Sequence, residues 1–186
     1  MTGEMSKWTK LIKVIREVLI WLCTWPMRAI YRLLGLRYFY TALQSVNPTA
    51  QLFRAARNTL YVVGGELNAD VWNTKPVREA LSELTSRANP PEIKIIFGPR
   101  GQANQHTLRC LLSMMREGKL ELYEVPERRE RHFAVVDGLY VKIEEPHLPN
   151  AQVRSGYVDY HNRELAAELT ASMFPGDPGM VQLVAG

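Results

Sequence analysis

The chain has 186 residues, of which 46% are hydrophobic and 23% are charged, and these proportions are normal for one globular domain with an appendage. The formal net charge is +4, but residues 1–45 alone have a net charge of +5, which leaves −1 for the rest. We therefore expect no nucleic-acid partner for the domain. The two cysteines, Cys23 and Cys110, lack the spacing of a disulfide framework, which indicates a reducing compartment.

The first predicted element is a basic amphipathic helix over residues 7–25. Apolar residues recur at helical spacing on one face, and lysines occupy another. Pro26 ends or kinks this helix, since its ring clashes with the carbonyl group four residues earlier. A second helix is predicted over residues 27–40. Within residues 7–40 the longest uncharged run, residues 18–27, has ten residues, whereas a helix that spans a bilayer needs about 20.

We interpret residues 7–40 as a segment that lies on an anionic membrane, at its cytoplasmic face. Basic side chains flank apolar faces there, and tryptophan suits the headgroup level. The late apolar stretch does not fit a signal peptide. A partner protein or the domain itself could receive these helices instead. The predicted membrane-binding residues are Trp8, Lys10, Lys13, Arg16, Trp21, Trp25, Arg28, Arg32 and Arg37.

A turn or linker is predicted at residues 41–50, because this stretch contains Asn-Pro. The compact domain is placed at residues 46–175. Two of its helices should begin at the capping residues Thr74 and Asn104. Strands are predicted at residues 60–63, 93–97, 120–123, 134–136 and 139–143, with another around Val158 and a last helix over residues 162–173.

The order strand, helix, strand, helix, strand predicts an α/β domain with a mixed, largely parallel sheet and helices on both faces. The first three strands should be parallel, because helices connect them. Asp137-Gly138 should close a hairpin, because glycine allows the positive φ of a tight turn. Residues 176–186 are expected to form a flexible tail.

This order resembles one half of the phospholipase D fold, and residues 50–175 carry the resemblance. In that family three strands and two helices lead to the motif H-x-K-x4-D, and G-S-x-N starts seven residues after the Asp. The stretch Val135-Val136-Asp137-Gly138 resembles the strand that ends the motif. Residues 162–174 are similar to the final helix of the family.

The motif itself departs from the family pattern. When Asp137 is placed at the family's Asp, its His position holds Glu130 and its Lys position holds His132, while G-S-x-N becomes residues 144–147. When His132 is placed at the His position instead, the Lys position holds Ala134 and the spacing to the Asp is two residues short. Carboxylates would repel a phosphodiester, and neither register keeps the cation that holds its charge. We therefore expect the domain to be catalytically degenerate.

Any remaining chemistry is expected around His132, the candidate catalytic residue. Glu130, Glu145 and His147 are candidate ligand-binding residues beside it, and Arg100 is a candidate anion contact in a strand-end loop. Two histidines and two carboxylates could bind a divalent metal ion. These four residues lack a recognised metal-ligand spacing, however, and they are explained more simply as ordinary polar residues at the solvent-exposed surface. We expect neither a metal ion nor a cofactor.

Three functions from different classes remain open. The first is a binding or scaffolding module that is phospholipase D-like, is not an enzyme, and is held at a membrane surface by residues 7–40. The second is a phosphodiesterase or nuclease with a rebuilt site around His132. The resemblance would then imply a homodimer, since family members with a single motif build one active site from two subunits. The third is an accessory subunit of a larger membrane complex.

Overall fold

The computed structural model describes residues 36–127, 129, 131–146, 153–173 and 180–184. The first predicted helix and most of the second lie outside the described residues. From Tyr38 onward the chain forms one compact unit, which begins eight residues before the predicted domain boundary.

Helices alternate with strands in the first half of this unit, and strands dominate the second half. The elements are β1 (Leu36–Thr41), α1 (Ala42–Ala55), β2 (Thr59–Val63), α2 (Ala69–Trp72), α3 (Lys75–Thr85), β3 (Glu92–Phe97), α4 (Gln105–Arg116), β4 (Glu121–Glu124), β5 (His132–Val136), β6 (Tyr140–Glu144), β7 (Val153–Asp159), α5 (Arg163–Met173) and β8 (Val181–Leu183).

The strands form one sheet in the order β1-β7-β6-β5-β2-β3-β4-β8. The pairs β2–β3 and β3–β4 are parallel, which confirms the prediction for the first three strands. The pairs β2–β5, β5–β6, β6–β7 and β4–β8 are antiparallel. The sheet is therefore mixed, as predicted, but mostly antiparallel rather than largely parallel. The physical reason is that a hairpin connects β5 to β6, so no crossover helix is needed there.

Helices cover both faces of the sheet, as predicted. On one face, Leu81 of α3 and Leu108 of α4 belong to a core cluster that includes Leu60 of β2. On the other face, Leu169 of α5 packs with a second cluster that includes Val135 of β5. Because the central strands are buried on both sides, a polar residue that alternates with apolar ones does not mark a solvent-exposed face.

Two helices begin directly after asparagines that cap them: Asn104, as predicted, and Asn162, which the predicted last helix includes. The side-chain oxygens of Asn104 and Asn162 each accept a hydrogen bond, 3.0 Å long, from the backbone N–H three residues later. Thr74 precedes α3 as predicted, but its hydroxyl donates to the carbonyl of Val71 and does not cap the helix.

The chain departs from the prediction between β1 and α1. Leu36–Thr41 is a strand and not the end of a helix, because its aromatic residues pack well on a pleated surface. The predicted linker at residues 41–50 is helical from Ala42 onward, although it contains Pro48. A proline inside a helix costs about 3 kcal/mol. The burial of Leu52 and Phe53, each 1% exposed, compensates for this cost.

The predicted tail also contains a strand. Residues 181–183 form β8, which lies at the edge of the sheet and pairs with β4, so that Leu183 is opposite Leu122. The prolines and glycines of residues 175–179 suggested an unordered end, but the apolar residues that follow are enough for one short edge strand.

One turn residue joins the central hairpin to the start of β2. Asp137 and Gly138 both have positive φ, 53° and 62°. The carboxylate of Asp137 accepts hydrogen bonds from the backbone N–H groups of Arg57, Asn58 and Thr59 at 2.7–3.2 Å. A single charged acceptor therefore holds three amide groups and places β5 against β2.

We expect Asp137→Ala to lower the free energy of unfolding by about 2–4 kcal/mol. Three N–H groups lose a charged acceptor, and alanine is strained at positive φ. Asp137→Asn keeps one acceptor oxygen and tolerates this φ, so it should lose roughly half as much. Urea unfolding followed by circular dichroism measures both variants. An alanine variant within about 0.5 kcal/mol of the wild type would contradict this role.

Candidate functional site

The candidate site is a small cavity at the carboxyl end of β2. The loop at residues 64–66 forms one side, and Trp72 of α2 forms another. Four charged or titratable side chains line the interior, namely Glu66, His132, Lys142 and Glu144. The cavity measures about 50 Å³, which is room for a few water molecules and not for a phosphodiester.

His132 begins β5 and is only 6% exposed. It lies directly opposite Glu144 of β6 in the antiparallel pairing. Its Nδ1 atom is 3.9 Å from Oε2 of that carboxylate. In the register that places Asp137 at the family's Asp, His132 occupies the Lys position. The structure places this histidine in the lining of the cavity, and its catalytic role stays a prediction.

Lys142 supplies the positive charge of the cluster, and sequence reasoning missed it. Its Nζ atom lies 2.5 Å from Oε1 of Glu144 and 5.1 Å from the ring centre of Phe39. The residue is 7% exposed. The Phe39 ring packs so closely on Gly156 that a Cβ atom there would lie 2.5 Å from it. Strand β1 thus covers the cluster on one side.

Glu144 is the anion of a buried ion pair. Burial by itself raises the pKa of this carboxyl group, but the ammonium group of Lys142 and the imidazole of His132 outweigh burial and hold the pKa well below its usual range. A second carboxyl group, that of Glu66, also lines the cavity and is 8% exposed. Two carboxyl groups beside one ammonium group provide no excess positive charge to attract a phosphate.

Of the other predicted site residues, the two that the structure describes, Glu145 and Arg100, do not line this cavity. Glu145 is exposed, and Arg100 lies in the loop after β3, where its guanidinium is 3.8 Å from Glu124. The side chain of Arg100 is about half exposed, so it can still contact an anion, but away from His132. Glu130 lies outside the described residues, and so does His147.

Within the described parts of the chain, no group of three or more His, Cys, Asp or Glu residues is placed to hold a metal ion. No helix among the same residues is both long enough and apolar enough to cross a bilayer. Of the predicted membrane-binding residues only Arg37 is described; it is exposed and lies in β1.

No family model matches the chain, and no curated protein matches its sequence. Solved structures are similar to it. Nuc, a phospholipase D family member from Salmonella typhimurium, has a TM-score of 0.63 at 12% identity, with 80% of this chain and 97% of that chain covered. A phosphatidylserine synthase from Haemophilus influenzae Rd KW20 has a TM-score of 0.55 at 13% identity, with 80% and 39% covered.

A further similar structure is that of TrmBL2, described as an archaeal chromatin protein with a novel mode of DNA binding. Its TM-score is 0.56 at 13% identity, with 90% of this chain and 64% of that chain covered. This likeness concerns the fold alone, so the expectation that nucleic acid is not a partner stays a prediction. At such identities the similarities concern the arrangement of the chain and not its reaction. The protein has a phospholipase D-like fold.

Proposed function

We propose that the protein is a catalytically degenerate phospholipase D-like module that binds or scaffolds at a membrane surface. The ion pair between Lys142 and Glu144 beside His132 is the observation that supports the proposed lack of catalysis. Phosphoryl transfer depends on cationic groups that are aimed at the developing negative charge. Here the ammonium group is neutralised by a carboxylate of the same chain, and the cavity is too small for the substrate.

The sequence of residues 7–40 supports the membrane part of the proposal. This segment has seven Lys and Arg against one Glu, a net charge of +6. Basic residues beside apolar helical faces bind anionic head groups through charge and apolar burial together. In this proposal the segment brings the domain to the cytoplasmic face of a membrane, where a partner or a larger complex meets it.

One contact favours a second candidate, a homodimeric phosphodiesterase or nuclease. A carboxylate that faces the Nδ1 atom of a histidine is the arrangement that orients a general base or nucleophile, and Glu144 faces His132 in this way at 3.9 Å. This candidate requires the cavity to open and Lys142 to turn from the carboxylate to the phosphate.

The two candidates differ in turnover. With a chromogenic phosphodiester, the full chain should show no hydrolysis above a His132→Ala control, with or without divalent metal ions, because the cation is already paired. Metal-dependent hydrolysis that both His132→Ala and His147→Ala abolish would favour a rebuilt metal site and contradict the proposal. Metal-free hydrolysis that only His132→Ala abolishes would instead favour a histidine nucleophile.

We expect Glu144→Gln to lower the free energy of unfolding at pH 7 by about 3 kcal/mol, because Lys142 is left buried without its anion. The pKa of Glu144 is lower in the folded chain than the ordinary value of 4.5. Its ionic stabilisation is therefore complete above that value and is lost as the pH falls toward the folded pKa. The difference between variant and wild type should shrink in acid.

Denaturant unfolding at several pH values measures this dependence. Glu83→Gln is the matched control, because it removes a carboxylate from an ion pair with Arg54 on the surface, where solvent screens the charges. That control should change stability little at any pH. A loss in Glu144→Gln that stays constant across the acidic range would show that the carboxylate is not the anion of the pair.

Membrane association should depend on the basic segment. The full chain should sediment with vesicles that contain phosphatidylserine and not with pure phosphatidylcholine, and salt near 1 M should weaken the binding because it screens charges beyond about 3 Å. A chain that starts at Leu36 keeps β1 and should stay folded without binding. If the full chain never sediments with anionic vesicles, the membrane part of the proposal is wrong.

A further inference from the structure

A second cavity lies between α3 and α4, separate from the candidate site, although Trp72 borders both. It measures about 440 Å³, within the usual range of small-molecule sites. Its floor is apolar, with Val77 and Leu81 from α3 facing Leu111 and Met114 from α4. We call this cavity the α3–α4 groove.

The groove is open because each of its helices packs elsewhere. Helix α3 packs on α1, and α4 packs on β4, so neither fills the space between them. The floor residues Val77, Leu81 and Leu111 are at most 5% exposed, because they also belong to the main core. The shape of the floor is therefore fixed by core packing and is already formed before any ligand arrives.

The rim of the groove is polar and mostly basic. Lys75 and Arg78 line the rim and are exposed. Among the described residues that line the groove, Glu79 is the single acidic one, and its carboxylate lies 3.7 Å from Nζ of Lys75. On the other wall the hydroxyl of Thr107 donates to the side-chain carbonyl of Asn73 at 2.8 Å. An apolar floor with a few polar groups at its margin is the usual arrangement of a small-molecule site.

We propose that the α3–α4 groove binds a free long-chain carboxylate. The alkyl chain lies along the half-buried side chains of Trp72 and Met114, which line the groove together with the buried floor residues, and the carboxylate lies at Lys75 and Arg78. The apolar floor provides affinity for the chain, and the basic rim selects an anionic head over a neutral one. A protein partner fits less well, since the 12 lining residues fall short of the roughly 20–30 residues per side of a stable protein interface.

Cys110 lines the same groove and is exposed, so its thiol can report occupancy. In a full-length Cys23→Ser variant it is the only thiol, and its alkylation by N-ethylmaleimide can be timed. Dodecanoate should slow alkylation saturably, whereas dodecanol should act only at much higher concentration. Each buried methylene group should lower Kd roughly fourfold, so decanoate should bind about 16-fold more weakly than dodecanoate.

Charge reversal tests the rim. Lys75→Glu with Arg78→Glu, in the Cys23→Ser chain, should raise Kd for dodecanoate at least about tenfold, because the head loses two cations and meets two anions. The matched control is Arg116→Glu with Lys119→Glu, which changes the net charge equally but lies outside the groove. Its Kd should equal that of the parent. Circular dichroism and urea unfolding establish that each variant is folded.

Several results would overturn the proposal. These are alkylation that dodecanoate does not slow, equal protection by dodecanol and dodecanoate, and an equal loss of binding in the two charge-reversed variants. Protection of Cys110 that rises with protein concentration alone would identify a second copy of the chain as the occupant. The assay uses neither a phosphodiester nor a vesicle, so its outcome is independent of the proposed function.

Discussion

The register of the central sheet depends on the carboxylate of Asp137, which holds the turn after β5 against the amide groups that enter β2. With this register His132 faces Glu144 on the side of the sheet that α1 covers. A slip of one residue would exchange the faces of the strand and would put the side chain of Phe133 on the face where His132 now lies. The position of the site thus follows from a turn at the opposite end of the same strand.

Charge burial explains why the site does not look like a phosphate site. An isolated buried ammonium group is strongly unfavourable, and its partner makes it tolerable without making it stabilising overall. Lys142 and Glu144 satisfy each other at 2.5 Å, and this contact uses the charge that a phosphate would need. A catalytic role for this cluster would require the pair to separate.

Much of the fold could be predicted from the sequence, since periodicity and capping are local. The parallel strands β2, β3 and β4 and the helices that begin after Asn104 and Asn162 all follow from such signals. Strand β1 and helix α1 could not be predicted in this way, because burial of Phe53 outweighs the local effect of Pro48. The cluster was only half foreseen. His132 could be found because it falls on a position of the family motif. Lys142 could not, because it alternates with apolar residues like an exposed strand residue, and the sequence does not show that a helix covers that face of the strand.

The contact between Phe39 and Gly156 has an evolutionary consequence. A Cβ atom at position 156 would lie 2.2 Å from the carbonyl oxygen of Ile143 and 2.5 Å from the Phe39 ring, so no larger residue fits while the aromatic ring stays. Glycine should therefore be retained at position 156 among homologues even where position 39 is not aromatic, because the clash with the carbonyl oxygen comes from the backbone. Where the ring is lost, Lys142 loses part of its cover, and solvent that reaches the pair of Lys142 and Glu144 would lower the desolvation cost of keeping both charges.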